Sequence, residues 1–282
     1  MKFAHFSVKE FLTGNRASTN PYYISDQNAN KLIAERCLLY LLSNLNNNDI
    51  PIMELIRTFP FLQYSARYWY KHIETLSMFG IHEELNNTIL RLFHRDMNTI
   101  FVNWLKVWNP DYKMNKIRGR SLRPRRLYYS ALLGFVNVTE ALLLERGTNV
   151  NAQGGHYGNA LQAASFQGNF KVMELLLERD ADVNAQGGVY GNALQTASLQ
   201  ENLKVVELLL ERGVDVNVQC GHYGNALQAA SITGNLKVTK LLLERGADVN
   251  AQGGVYGNAL QAASVRGHHG VLALLRERRV RS

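Results

Sequence analysis

Residues 158–187 read GNALQAASFQGNFKVMELLLERDADVNAQG, and nearly every residue in them marks a helix boundary or a helix face. Asn159 follows a glycine and suits an N-cap, where its side chain accepts from the orphan N–H groups of a first turn. A short helix is expected over 160–166, carrying Leu161, Ala163 and Ala164, whose small side chains admit a close neighbour. Gly168 stops that helix. A second helix is expected over about 170–179, with Val172, Leu175 and Leu176 at the i, i+3, i+4 spacing of one apolar face. Asp182-Val183-Asn184 then leads into Gly187-Gly188, a pair suited to a hairpin tip.

The unit recurs. Asn159, Asn192, Asn225 and Asn258 stand 33 residues apart, as do Asn151, Asn184, Asn217 and Asn250. Blocks 158–190 and 224–256 agree at 27 of 33 positions. A fixed period of this length means stacked helical units, none able to bury its apolar face alone. The pattern resembles the ankyrin repeat. The family's T-P-L-H reads Asn159-Ala160-Leu161-Gln162 here, and G-A-D-V-N-A stands intact at Gly246–Ala251. Loss of the proline removes some pre-organisation at the helix start. Gln replaces the histidine that bridges neighbouring repeats, which puts that bridging hydrogen bond in question.

The resemblance implies a mainly α fold, an ankyrin-repeat solenoid of helix-turn-helix units and hairpin loops preceded by a helical N-terminal region. Residues 127–282 divide into five repeats, the first divergent and the last incomplete. The first, about 125–157, opens on Arg125-Arg126-Leu127-Tyr128-Tyr129 and has one extra residue before Leu142-Leu143-Leu144. The last, 257–282, loses its hairpin and ends in Arg276, Arg278, Arg279 and Arg281, a charged finish that suits a terminal repeat. Asp180 and Glu201 replace helix-terminating glycines, and each is expected to cost stability.

Residues 1–112 show no repeat. Ser25-Asp26 looks like a helix start, followed by Leu32, Ile33, Cys37, Leu38, Leu41 and Leu42 on one face up to the loop 44–48. Further helices are expected after Pro60, near 76–95 and over 98–108, with a short strand left open at 3–8. Segments 3–12 (FAHFSVKEFL), 37–42 (CLLYLL), 61–69 (FLQYSARYW) and 104–111 (WLKVWNPD) resemble, in order, the helical part of fungal NACHT–ankyrin proteins. Those are nucleotide-regulated switches with an effector, a NACHT ATPase and a C-terminal repeat sensor. No G-x-x-x-x-G-K-[ST] occurs in the 282 residues, so no glycine loop cradles phosphates and the family's ATPase activity is not carried over. The chain reads as beginning after that module.

Net charge is +8, but its distribution matters more. Residues 1–112 carry +1, 113–126 carry +7 without an acid, 127–275 carry −3, and the last seven carry +3. Lys113, Lys116, Arg118, Arg120, Arg123, Arg125 and Arg126 read as a basic interdomain linker (113–126), with nuclear import or nucleic-acid contact as alternatives. Two cysteines, Cys37 and Cys220, exclude a disulfide framework. No apolar run approaches a membrane span. His82-Glu83-Glu84 lacks zincin spacing, and His156 and His222 stand two repeats apart, too far to share a metal. Cys37 on an apolar face reads as a core residue. Neither a catalytic constellation nor a cofactor is expected.

The functional surface implied by the resemblance is the concave face, formed by hairpin tips and first helices. It maps to His156, Phe166 and Gln167, then Val189, Leu199 and Gln200, then His222, Ile232 and Thr233, then Val255, Val265 and Arg266. Phe166, Leu199, Ile232 and Val265 are expected to form an exposed apolar ladder there. The expected role is a non-catalytic protein-binding scaffold or sensor in a cytoplasmic, reducing setting. Nucleic acid is disfavoured and no membrane partner is expected. The alternatives are the C-terminal part of a NACHT-type switch, or a basic nucleic-acid-associated factor.

Overall fold

The computed structural model describes residues 25–76, 81–111 and 125–281. They fall into two compact units that divide between Pro110 and Asp111. The segment 3–12 and most of the basic stretch, 113–124, lie outside the described residues.

The first unit is helical. Helix α1 (Asp26–Asn44) starts where the Ser25 side chain accepts from the Asn28 N–H. Then come α2 (Ile52–Thr58), α3 (Leu62–Glu74), α4 (Glu83–Phe93), a 3₁₀ turn (Arg95–Met97) and α5 (Asn98–Val107). Their apolar faces close on an aromatic centre. Trp69 and Trp104 meet edge to face at 5.5 Å, and Phe93 and Phe101, tilted against each other, both meet Trp104 edge-on. Such ring pairs add about 0.5–1.5 kcal/mol each beyond area burial. The Trp104 indole donates to the Ala66 carbonyl at 2.9 Å, so its one polar atom is satisfied inside the core. Asn103 donates to the carbonyls of Leu45 and Asn47, which ties down the asparagine-rich loop.

The second unit is the repeat array. Its helix pairs are α6 (Arg126–Leu133) and α7 (Val136–Leu144), α8 (Ala160–Gln167) and α9 (Phe170–Glu178), α10 (Ala193–Ser198) and α11 (Leu203–Glu211). They continue with α12 (Ala226–Thr233) and α13 (Leu236–Glu244), then α14 (Ala259–Val265) and α15 (His269–Arg281). Arg126, the last residue of the basic stretch, pairs with Glu145 at 3.6 Å.

Each first helix from α8 onward opens on its asparagine, whose side chain accepts from the N–H three residues on at 2.9 Å. A cap of this kind is worth about 1 kcal/mol. Each second helix buries one stripe: Val172, Met173 and Leu176 in α9, Val205, Val206 and Leu209 in α11, Val238, Thr239 and Leu242 in α13. A fully buried aliphatic side chain contributes roughly 1.5–3 kcal/mol.

The bridging bond put in question by the His-to-Gln exchange is present. Gln162 is 1% exposed, and its Oε1 accepts from the Asn159 N–H at 2.7 Å. Its Nε2 donates to the Ala185 and Gly187 carbonyls of its own repeat's hairpin and, across the repeat boundary, to the Gly191 carbonyl at 2.9 Å. Gln195 and Gln228 do the same toward Gly224 and Gly257. An amide carries an acceptor and two donors at one terminus, so it closes a capping box and bridges repeats at once. A second bridge runs alongside it. Asn151, Asn184 and Asn217 accept from the N–H of Asp182, Asp215 and Asp248 at 2.8–2.9 Å.

The two replaced glycines behave as their positions require. Asp180 and Glu201 hold φ of 61° and 57°, among the glycines that occupy the left-handed region elsewhere in the array. For a side chain with a Cβ that region costs about 1–2 kcal/mol.

Candidate functional site: the hairpin-tip face of the repeats

Four hairpin tips line one face of the array, each closed by a bond such as Gly187 N–H to Gly191 O at 2.7 Å. Successive tips are joined through their backbones. Val189 N–H donates to His156 O, His222 N–H to Val189 O, and Val255 N–H to His222 O, all at 3.0–3.2 Å. The approach is close enough to require glycine: a Cβ on Gly188 would lie 2.2 Å from the Tyr157 carbonyl oxygen. Main-chain bonds running from tip to tip make these positions a rigid row rather than four separate loops.

Behind the row runs a column of tyrosines that the sequence reading missed. Tyr157, Tyr190, Tyr223 and Tyr256 follow the tip residues at the repeat period, and their rings stack with centroids 5.8, 6.0 and 6.2 Å apart. Interplanar angles tighten from 27° to 15° to 12° along the column. The signal was available: Tyr-Gly-Asn ends every tip. Tyr157 is buried, whereas Tyr190, Tyr223 and Tyr256 are half-buried. Burial raises the phenol pKa of Tyr190 and Tyr223, with a neighbouring tyrosine adding to each, so both stay neutral hydrogen-bonding groups.

The column sorts the expected site residues. His156 packs edge-on against Tyr157 and Tyr190, and His222 against Tyr223. Phe166 stacks on Tyr157 at 4.1 Å and lies parallel to Tyr190 at 6.0 Å. The expected apolar ladder is corrected here. Phe166 and Leu199 are half-buried, Ile232 is buried at 7% exposure, and only Val265 is open at 66%. Phe166 packs against the tip tyrosines, and among the described residues nothing stacks over Val265. The exposed part of the face consists of Gln167, Gln200, His222, Val255, Val265 and Arg266, with His156, Val189 and Thr233 half-buried. Thr233 directs its hydroxyl to the Ala229 and Ala230 carbonyls. Arg266 is the one formal charge among the twelve expected residues.

The row is closed at its N-terminal end by a carboxylate. Asp111 is 5% exposed. Its Oδ2 accepts from the His156 N–H, where each later tip uses the preceding tip's carbonyl. Its Oδ1 accepts from the Tyr128 hydroxyl, which itself accepts from the Tyr157 N–H at 3.1 Å. Allowing for the extra residue in repeat one, Tyr128 stands where Gln162 stands in repeat two. A phenol thus replaces the bridging amide there. Burial raises the Asp111 pKa, and the bonds from Tyr128 and His156 pull it back down.

Burial pushes the Cys37 thiol up to about 11, which keeps it a protonated core group. The Cys220 thiol donates to Gln195 Oε1 at 3.4 Å. His268 lies with Nε2 3.1 Å from the Ile232 carbonyl, a contact between repeats. Among the described residues no helix is long and apolar enough to cross a membrane.

Comparison with known proteins agrees with this geometry. The family model for ankyrin repeats (three copies) matches residues 127–220 and 194–281. A protein of Monascus ruber described as azaphilone pigments biosynthesis cluster protein L is 36% identical over 190 residues. The match takes in 62% of this chain and 39% of that protein, so the chain spans well under half of its relative. Neither description names a NACHT module. With the matched segments running through the bridged, Asn-capped helix pairs of 127–281, the chain belongs to the ankyrin-repeat family.

Proposed function

We propose that this chain is a non-catalytic protein-interaction module whose partner lies along the hairpin-tip face. Ankyrin repeats are protein-binding units, and the observation that carries the reading here is the rigid row of tips over a stacked tyrosine column. Tyrosine supplies large contact area with little side-chain entropy to lose, which is why it serves recognition surfaces well. The face is nearly uncharged while the array body carries −3, so the partner is expected to meet it through apolar and neutral polar groups rather than through acids. The described relative belongs to a biosynthesis cluster, and a protein of such a pathway is the first partner to test.

Site-specific photo-crosslinking on the full chain tests this reading. A crosslinker at Gln200, on the tip face, is expected to capture the partner, and one at Lys237, an exposed position on a second helix, is not. Val189→Asp together with His222→Asp is expected to abolish capture. Equal capture from both positions, or capture that survives the double substitution, refutes the assignment of the face.

A further inference from the structure

The tyrosine column gives the tip face a fixed pitch. Tyr157, Tyr190, Tyr223 and Tyr256 step by 5.8, 6.0 and 6.2 Å, so three steps cover about 18 Å. Four residues of α-helix rise about 6.0 Å, and twelve rise about 18 Å. Side chains four apart share a helix face, and their drift of about 40° per step keeps positions i to i+12 within an ordinary amphipathic stripe. Alternate residues of an extended strand lie about 6.4–6.8 Å apart and outrun the column by about 1–2 Å over three steps. A polyproline helix repeats its face only every 9 Å or so, about half the column.

The main chain of the row favours the same occupant. Val189 N–H donates to His156 O, and Val189 O accepts from His222 N–H. His222 O in turn accepts from Val255 N–H. Both main-chain groups of Val189 and of His222 are thus spent along the row, and these positions offer no ladder to an added strand. An extended peptide draws its affinity from such a ladder, whereas a helix satisfies its backbone internally.

Charge supplies a direction. Arg266 is exposed, as are Gln167 and Gln200 at the same position of earlier repeats. Burial raises the Tyr223 phenol pKa, Tyr256 adds to the rise and Arg266 opposes it, so the guanidinium acts on the column. A cation attracts the C-terminal end of a helix, where the last carbonyls are unpaired. At the other end of the row the Asp111 carboxylate is 5% exposed and spent on Tyr128 and His156.

Resting on the tip face as the partner surface, we infer that what it receives is an amphipathic α-helix of another protein. The helix lays one apolar side chain per turn along the tyrosine column, over about three and a half turns, with its C-terminus toward Arg266. Its contacting stripe is uncharged, because Phe166, Val189 and Leu199 would leave a buried charge without a partner. A carboxylate is accommodated only at the Arg266 end.

The probe is a synthetic peptide of about fourteen residues, with leucine at every fourth position, alanine and glutamine elsewhere and a free C-terminal carboxylate. A side-chain staple holds it helical, since so short a helix is marginal alone. The control, of equal length, carries leucine at alternate positions and two prolines, which keep it extended. Each is titrated into the full chain by calorimetry. The helix is expected to bind 1:1 and about tenfold tighter than the control. Val189→Asp with His222→Asp is expected to weaken it about tenfold, and circular dichroism checks that this variant keeps its fold. Amidating the carboxylate is expected to cost about threefold, a difference that disappears in Arg266→Gln. Photo-crosslinkers at Gln167 and Gln200 are expected to reach peptide positions about four apart, with Gln200 nearer the C-terminus. No saturable binding at about 500 μM, equal binding of both peptides, crosslinks two positions apart, or the reverse order each overturns the inference. If Gln200 still captures a partner while the helical peptide fails, the face stands and the helix is wrong. Failure of both removes the face as well.

Discussion

Replacing Glu201 with glycine is expected to stabilise the protein, and the structure gives two reasons of comparable size. The first is local. Glu201 holds φ of 57°, a region that costs a residue with a Cβ about 1–2 kcal/mol. Glycine removes that cost but loses roughly 0.5–1 kcal/mol to the greater freedom of its unfolded chain. The second reason lies in the next repeat. A Cβ on Gly168, the same position one repeat earlier, would lie 2.1 Å from Asn202 Nδ2; on Gly134 it would lie 2.8 Å from Asn169 Oδ1. The neighbour's capping side chain therefore needs the space that a Cβ occupies. Beside Gly134, Asn169 donates to the Ala131 and Leu132 carbonyls at 2.8 and 3.2 Å. Where Glu201 stands, the buried Asn235 Nδ2 has no partner, and α10 ends two residues short of the length of α8 and α12. Regaining that hydrogen bond is worth about 1 kcal/mol. The sum is about 1–2.5 kcal/mol, or a rise in Tm of roughly 2–10 °C for a unit of this size.

Chemical denaturation of the full chain measures the gain, and a second substitution apportions it. In an Asn235→Ala background only the backbone part is expected to remain, under about 1 kcal/mol. Glu201→Asn tolerates the left-handed region better but keeps the Cβ, so it is expected to gain under about 0.5 kcal/mol. A Glu201→Gly variant no more stable than the parent refutes the reasoning. So does a gain equally large without Asn235, which would leave the steric half of the account wrong.

Three further outcomes follow from the same structure. Asp180→Gly is expected to gain only about 0.5 kcal/mol, because a Cβ at the equivalent Gly147, Gly213 and Gly246 meets nothing within 4 Å and only the backbone contributes; the denaturation midpoint reads it. Gln228→Ala strips three carbonyls of a buried donor and is expected to cost about 1–3 kcal/mol, while Gln261→Ala stays within about 0.5 kcal/mol, so equal costs in thermal unfolding would contradict the bridging role. Burial raises the Asp111 carboxyl above its ordinary value, so the stability tied to its protonated form is full below the ordinary carboxylate range and is lost as pH rises through the folded value. Unfolding of Asp111→Asn is accordingly expected to show a flatter dependence on pH across and just above that range.

What could be read without coordinates is what a residue settles with neighbours three or four positions away. The asparagine caps, the glycine stops, the apolar faces of 170–178 and its copies, and the two misplaced residues at 180 and 201 are all of that kind. Local hydrogen bonds and helical spacing write themselves into short strings, and a 33-residue period repeats them until they are unmistakable. The N-terminal helices were legible for the same reason, from Ser25 and from the apolar stripe of α1.

The rest depends on partners 23 to 45 residues away, and no local pattern announces those. That Gln162 takes over a bridging bond is a fact about where the next hairpin's carbonyls arrive. That Ile232 is covered while Val265 is open depends on whether another repeat stacks beyond it. That four tyrosines form one column, and that Asp111 closes the row of tips from outside the repeats, follow from rise and rotation between units, quantities the chain specifies only once its helices have packed. The sequence alone determined the repeat, its helices and its irregular positions; stacking decided which side chains became bridges and which became surface.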